Sequence, residues 1–310
     1  MGNESTGSIT YTVFEVEPAT MDVVEFHLAT RLFRALENSP SIKHRMMKLS
    51  SDLSDKDSDF IPSYSLGHNG FLFGSFVRLK EGMESIVKAE YLDQKTMDVD
   101  KAFGEAKAGV GGFLKDAWFF GIQKNILVLS NRSARAFEAY VNWLIEGDGG
   151  SHRCRITPKK KVSDTIDAAE IKSISVGDEA WVNAKGNSRA VDAMGTKFQD
   201  LKTELLHFLL SDIDKPKDIE WDDIVSATLM LKFRKNRKSK NDALSAALRL
   251  VDNQYIKIKD KNGRTFSGGE FVVKVTRQVE KTSNGYYNEK IVQQDMADII
   301  YEVEHGKVVC

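Results

Sequence analysis

Residues 115–147 read "KDAWFFGIQKNILVLSNRSARAFEAYVNWLIEG", and this stretch limits the fold more than any other. Two β-rich apolar runs flank a tight turn around Gln123–Asn125, which predicts two neighbouring strands. Asn131 or Ser133 then begins a helix. Phe137, Tyr140, Val141 and Leu144 recur at helical spacing on one face, and Gly147 ends it. Trp118, Phe119 and Phe120 form an apolar block expected in the core, and Trp143 is expected to pack beside Leu144. A chain organised round such a segment needs a sheet with helices laid against it.

The rest of the chain continues the mixture. "ITYTVFEVE" (9–17) alternates as a strand. The following helix has Val24, Leu28, Leu32 and Leu36 inward, with Asp22 and Glu25 as its capping box. "NGFLFGSFVRLK" reads as a strand, and "SSDLSDKDSD" as an acidic loop. "GDGG" (147–150) is the expected linker. Beyond it, "SHRCRITP", "EIKSISV" and a segment from about Val225 read as strands. "GTKFQDLKTELLHFLLSD" and "SKNDALSAALRLVDN" read as helices. "QYIKIKDKNGRTF" predicts a hairpin with a two-residue type I′ turn at Asn262-Gly263. "GEFVVKVTRQVE" predicts an alternating strand, and "EKIVQQDMADIIYEVEHG" a closing helix. The expected fold class is α+β with two domains, 1–148 and 149–310, each a mixed or antiparallel sheet packed with helices.

Charge is distributed unevenly. Residues 1–150 hold 16 Lys/Arg against 21 Asp/Glu, a net of -5. Residues 151–310 hold 28 against 24, a net of +4, and together these give the formal net charge of -1. A polyanion is therefore expected to meet the second half first. The two cysteines, Cys154 and Cys310, make no disulfide framework and lack zinc spacing, which suits a reduced, cytoplasmic setting. The first ten residues carry no apolar run of the kind a secretory signal needs. They do match the short myristoylation pattern through Gly2 and Thr6. No apolar run approaches the roughly 18 residues of a membrane span, so no direct membrane insertion is expected.

The feature with functional content is "LKFRKNRKSK" (231–240). Lys232, Arg234, Lys235, Arg237, Lys238 and Lys240 stand where a strand gives way to a helix. A strand end and loop can aim several cations at one phosphate backbone, and a helix N-terminus adds its own NH groups. Lys257, Lys259 and Lys261 alternate with aliphatics and share one face of their strand, with Arg264 just past the turn. Pairing of this strand beside the strand around 225–234 would join the two into one positive strip. Arg153, Arg155, Lys159, Lys160 and Lys161 form a second cluster. Neutralising about six to ten phosphates supplies most of a non-specific affinity, with a steep salt dependence. Lysines alternating with aliphatics also make an ordinary solvated strand face, and edge lysines block aggregation. An acidic protein or a membrane surface is another partner for such a run. No helix presents several base-reading side chains, so weak sequence preference is expected.

Signals for catalysis are sparse. "AGVGGFL" (108–114) lacks the spacing of a phosphate-cradling loop, and no cofactor or metal is expected. His152 lies beside Arg153 and Cys154, a weak arrangement for a nucleophile. "EYLDQK" (Glu90, Asp93, Lys95) and "EWDD" (Glu220, Asp222, Asp223) hold the residue types of a metal-dependent nuclease, which is the alternative reading. Trp181, in a polar setting, is a candidate base-stacking residue.

In series, "NGFLFGSFVRLK", the 113–147 strand–turn–strand–helix and "LMLKFRKNRKSKNDALSAALRLVDNQYIKIKDKNGRTFSGGEFVVKV" resemble the RexA-type exclusion proteins of lambdoid phages. The resemblance spans most of the chain without an invariant short motif. It implies a cytoplasmic homodimer that binds DNA with little sequence preference. It also implies a sensor role in anti-phage exclusion, with signalling to a membrane-protein partner. Lys232, Arg234, Lys235, Arg237 and Lys238 are the DNA contacts it implies. The chain is longer than that pattern in the 50–60 loop and in 177–196, which bears on dimer geometry.

Overall fold

The computed structural model describes residues 5–19, 26–49, 57–79, 89–105, 116–130, 134–149, 153–160, 171–176, 229–232 and 256–307. The chain divides into two compact units. One is Met1–Lys159 with Val273–Cys310, and the other is Lys160–Val272.

The first unit begins with β1 (Thr6–Pro18), α1 (Leu28–Asn38) and a 3₁₀ turn (Ile42–Arg45). Then come β2 (Met47–Lys48), β3 (Ser58–Phe60), β4 (Tyr64–Leu66), β5 (Leu72–Leu79), α2 (Ala89–Leu92) and α3 (Val99–Glu105). β6 (Asp116–Gln123), β7 (Ile126–Ser130), α4 (Ala134–Gly147) and β8 (Cys154–Pro158) follow. The second unit contributes β9 (Ile171–Val176), β10 (Leu229–Lys232), β11 (Ile256–Asp260) and β12 (Thr265–Ser267). The chain then returns to the first unit as β13 (Lys274–Glu280) and α5 (Glu289–Glu304). Every described strand pairing is antiparallel, and the fold is α+β.

The large sheet runs β13-β1-β7-β6-β5-β3-β2, with β4 also on β5 and β8 also on β1. β1 organises it. Thr6–Thr12 pair with β13, Tyr11–Glu15 with β7, and Phe14–Pro18 with β8. β5 and β7 are buried almost throughout rather than alternating. The cause is a helical layer on each face. Phe120 points to α4, 5.0 Å from the Phe137 ring. Its neighbour Gly121 points the other way, where a Cβ would stand 3.1 Å from Met296 Cβ of α5. The apolar runs of β6 and β7 thus fill two core layers at once, and α1 packs with α4.

Several local expectations change in three dimensions. α4 ends at Gly147, Gly149 takes φ +80°, and β8 begins at Cys154 as a partner of β1. The expected division at 148/149 therefore differs from the observed units: β8 and the returning β13 and α5 all belong with β1. α1 starts at Leu28 with His27 in its extended N-cap position, and Asp22 and Glu25 lie outside the described residues. Gly268–Phe271 is a 3₁₀ turn with a capping box between Ser267 and Glu270, so the strand expected from Gly269 starts only at Lys274. Trp143 packs on Tyr140, ring centroids 5.8 Å apart, yet stays 38% exposed because it sits beside the buried stripe of α4. The helices expected at 195–212 and 239–253 and Trp181 lie outside the described residues.

Candidate nucleic-acid interface

The second unit contains a four-stranded sheet, β10-β9-β11-β12. In β11, "IKIKD", the period-two rule separates two faces: Ile256 and Ile258 are buried, and Lys257 and Lys259 are exposed. The next residue, Asp260, is buried and does local work. Its Oδ1 accepts the Arg264 amide at 2.8 Å, and its backbone carbonyl accepts from Gly263 at 3.2 Å. Only Gly263 takes a positive φ, +85°. The β11–β12 connection is accordingly a three-residue loop, Lys261–Gly263, rather than a two-residue type I′ turn. Asp260 holds it, and the side chains of Lys261 and Arg264 are exposed.

Register determines what surrounds the lysines. Lys257 is opposite Ser175 on β9 and Ser267 on β12, and Lys259 is opposite Ser173 and Thr265. Directly opposed residues share a face. The exposed face of β11 is thus a pair of lysines opposite hydroxyl residues, of which Ser173 is itself buried, and none of the residues in register with them is acidic. The Ser267 hydroxyl is already committed, donating to Glu270 Oε1 at 3.0 Å. These serines and Thr265 were missed in the sequence; the alternation Ser173-Ile174-Ser175 is the signal that could have found them.

The 232–240 run is represented by its first member. Lys232 closes β10, opposite Ser173, so the row across the sheet reads Lys232, Ser173, Lys259, Thr265. β10 and β11 thus lie in one sheet, separated by one strand, β9. Arg234, Lys235, Arg237, Lys238, Lys240 and Lys161 lie outside the described residues.

The cluster at 153–160 has a different environment, because β8 lies along the acidic end of β1. Arg153 pairs with both carboxylate oxygens of Glu146, and this hydrogen bond and its charge hold Glu146 below the ordinary carboxylate range. Arg155 is exposed and in register with Glu17. Lys159 Nζ is 2.5 Å from Glu15 Oε1. Lys160 is half-buried and bridges to Val272. The expected row of open cations is, at Arg153 and Lys159, already met by carboxylates.

The catalytic alternatives find little in the described residues. Burial, then the Glu138 charge, pushes the Cys154 thiol up to about 12, so it stays protonated. Lys95 is 2.6 Å from Glu37 Oε2. Among the described residues no three His, Cys, Asp or Glu side chains stand together as metal ligands, and Glu220, Asp222 and Asp223 lie outside them. No described helix is long and apolar enough to cross a membrane. Compared with known proteins, the chain matches no family model and no curated protein.

Proposed function

We propose that this chain binds DNA through the phosphate backbone, with little sequence preference, and that Lys257, Lys259, Lys261 and Arg264 form the described part of the contact. The observation that carries the reading is the register of β11. Its two exposed lysines stand among serine and threonine residues, whereas the cations of β8 face glutamates. Lysines two apart on a strand are about 6.7 Å apart and on one side. Ammonium and hydroxyl groups are both phosphate donors that position a backbone without reading bases. Lys232 in the same row, and Arg234, Lys235, Arg237, Lys238 and Lys240 after it, extend the contact in this reading.

A second copy in a homodimer would double such contacts and raise the overall affinity. The resemblance to the RexA-type exclusion proteins supports the biological role: an anti-phage sensor that signals to a membrane-protein partner.

The test is fluorescence anisotropy of the full chain on two unrelated duplexes. Comparable affinity for both, lost at least tenfold in Lys257→Ala/Lys259→Ala, is the expected result. Equal binding by the double variant and the parent protein removes the assignment. Cleavage of plasmid with Mg²⁺ or Mn²⁺ would replace the reading with a nuclease.

A further inference from the structure

α3 docks on the turn leading into α5, with Asp98 and Asp100 on the α3 side and Glu289 at the start of α5. Asp98 caps α3, its Oδ1 accepting the Lys101 amide at 3.0 Å. Asp100, in the first turn, accepts from Thr282 Oγ1 at 2.6 Å, and Asn284 Nδ2 donates to its carbonyl and to Oδ2, each at 3.2 Å. Gly104 completes the docking, because a Cβ there would come within 2.6 Å of the Asn284 side chain. Glu289 follows the Asn288 N-cap as the first residue of α5. Its Oε1 is buried and has no hydrogen-bond partner among the described residues.

The groups facing Glu289 disfavour a charge there. Burial, then Asp98, then Asp100, raises its carboxyl from the ordinary 4.5 to about 7. Tyr286, buried beside it, is held neutral by burial and by the charges of Glu289 and Asp100. Thr282 and Asn284 offer neutral donors, and both are spent on Asp100. The N-terminus of α5 favours a carboxylate at this position, but burial beside two like charges outweighs it.

We propose that this contact is a proton-dependent latch: α3 stays docked on the Thr282–Glu289 turn while Glu289 is protonated, and loosens when Glu289 ionises beside Asp98 and Asp100. The sign follows from which state holds the proton. The docked state retains it in a range where the open state has released it. Docking is therefore strongest below the ordinary carboxylate range, weakens as pH rises from about 4.5 to about 7, and is level above that.

Hydrogen exchange of residues 99–105 in the full chain, corrected for intrinsic rates, reads the latch. Between about pH 5 and about pH 8 the opening of this segment should increase at least about tenfold, the change that one unit of pKa difference produces. Glu289→Gln should remove that rise. Asp98→Asn keeps an acceptor for the Lys101 amide while removing one charge, and should move the transition to lower pH. Exchange in Glu289→Gln that rises as in the parent protein would overturn the latch. So would a Glu289 midpoint near 4.5 in a carboxyl-carbon NMR titration of the unaltered chain, a measurement independent of whether a variant folds.

Discussion

The Tyr140 hydroxyl donates to the backbone carbonyl of Arg45 at 2.9 Å, tying α4 to a 3₁₀ turn 95 residues earlier in the chain. The same hydroxyl accepts the Ile61 amide at 3.3 Å. The Arg45 side chain, fully buried, continues the knot. Its Nε donates to the Ile61 carbonyl at 2.7 Å, another nitrogen donates to the Lys95 carbonyl, and the guanidinium lies 5.3 Å from the centre of the Tyr64 ring. Burial lowers the pKa of this arginine. Tyr140→Phe keeps the ring but leaves a buried carbonyl and a buried amide without that partner. It should cost about 1–3 kcal/mol, measured by urea unfolding. A variant as stable as the parent would mean that water replaces the hydroxyl.

Asp59 and Arg78 face one another across β3 and β5, and the guanidinium grips both carboxylate oxygens, at 2.7 and 2.8 Å. Asp59 is fully buried and Arg78 is partly open to solvent. Removing the cation takes both of these bonds from a carboxylate in the sheet interior. Arg78→Ala should destabilise by about 3 kcal/mol, the lower end for a broken buried pair, because solvent reaches the arginine side. Thermal unfolding checks this, and Arg78→Lys should recover only part of the loss because a single ammonium cannot grip both oxygens.

Gly121 is the point where β6 meets α5. An added methyl would lie 2.9 Å from the Phe71 ring and 3.1 Å from Met296 Cβ, so either the helix or the ring must move. Gly121→Ala is expected to lose about 1–3 kcal/mol through overpacking, despite the gain in strand propensity. Chemical denaturation decides, and an unchanged midpoint would show that α5 shifts freely.

If Lys257 and Lys259 each meet one phosphate, their joint removal should flatten the plot of log affinity against log salt by about 1.8. Both side chains are exposed, so folding should be unaffected. A loss of affinity with an unchanged slope would point to contacts other than phosphates.

The local signals were faithful where one segment carries its own partner. β6, its turn and β7 follow one another, and α4 comes next, so residues 116–147 were legible as a unit. The lysine alternation of β11 was legible for the same reason, since a strand's period separates its two faces without reference to neighbours. Its surroundings were not legible. Ser173 and Ser175 come some eighty residues earlier, and nothing in their own segment indicates which strand they will meet. The glutamates opposite β8 were likewise hidden, because Glu15 and Glu17 stand near the start of the chain.

By itself the sequence determined the strands β1, β5, β6, β7 and β11, the helices α4 and α5, and the two faces of β11, because propensity and periodicity act over a few neighbours. Tertiary structure alone decided that β13 and α5 return to β1, that β5 and β7 are buried on both faces, and which cations stand opposite carboxylates and which opposite hydroxyl residues. Those outcomes depend on long-range strand pairing. One shift of register would exchange every cross-strand neighbour, and no short stretch of chain encodes that choice.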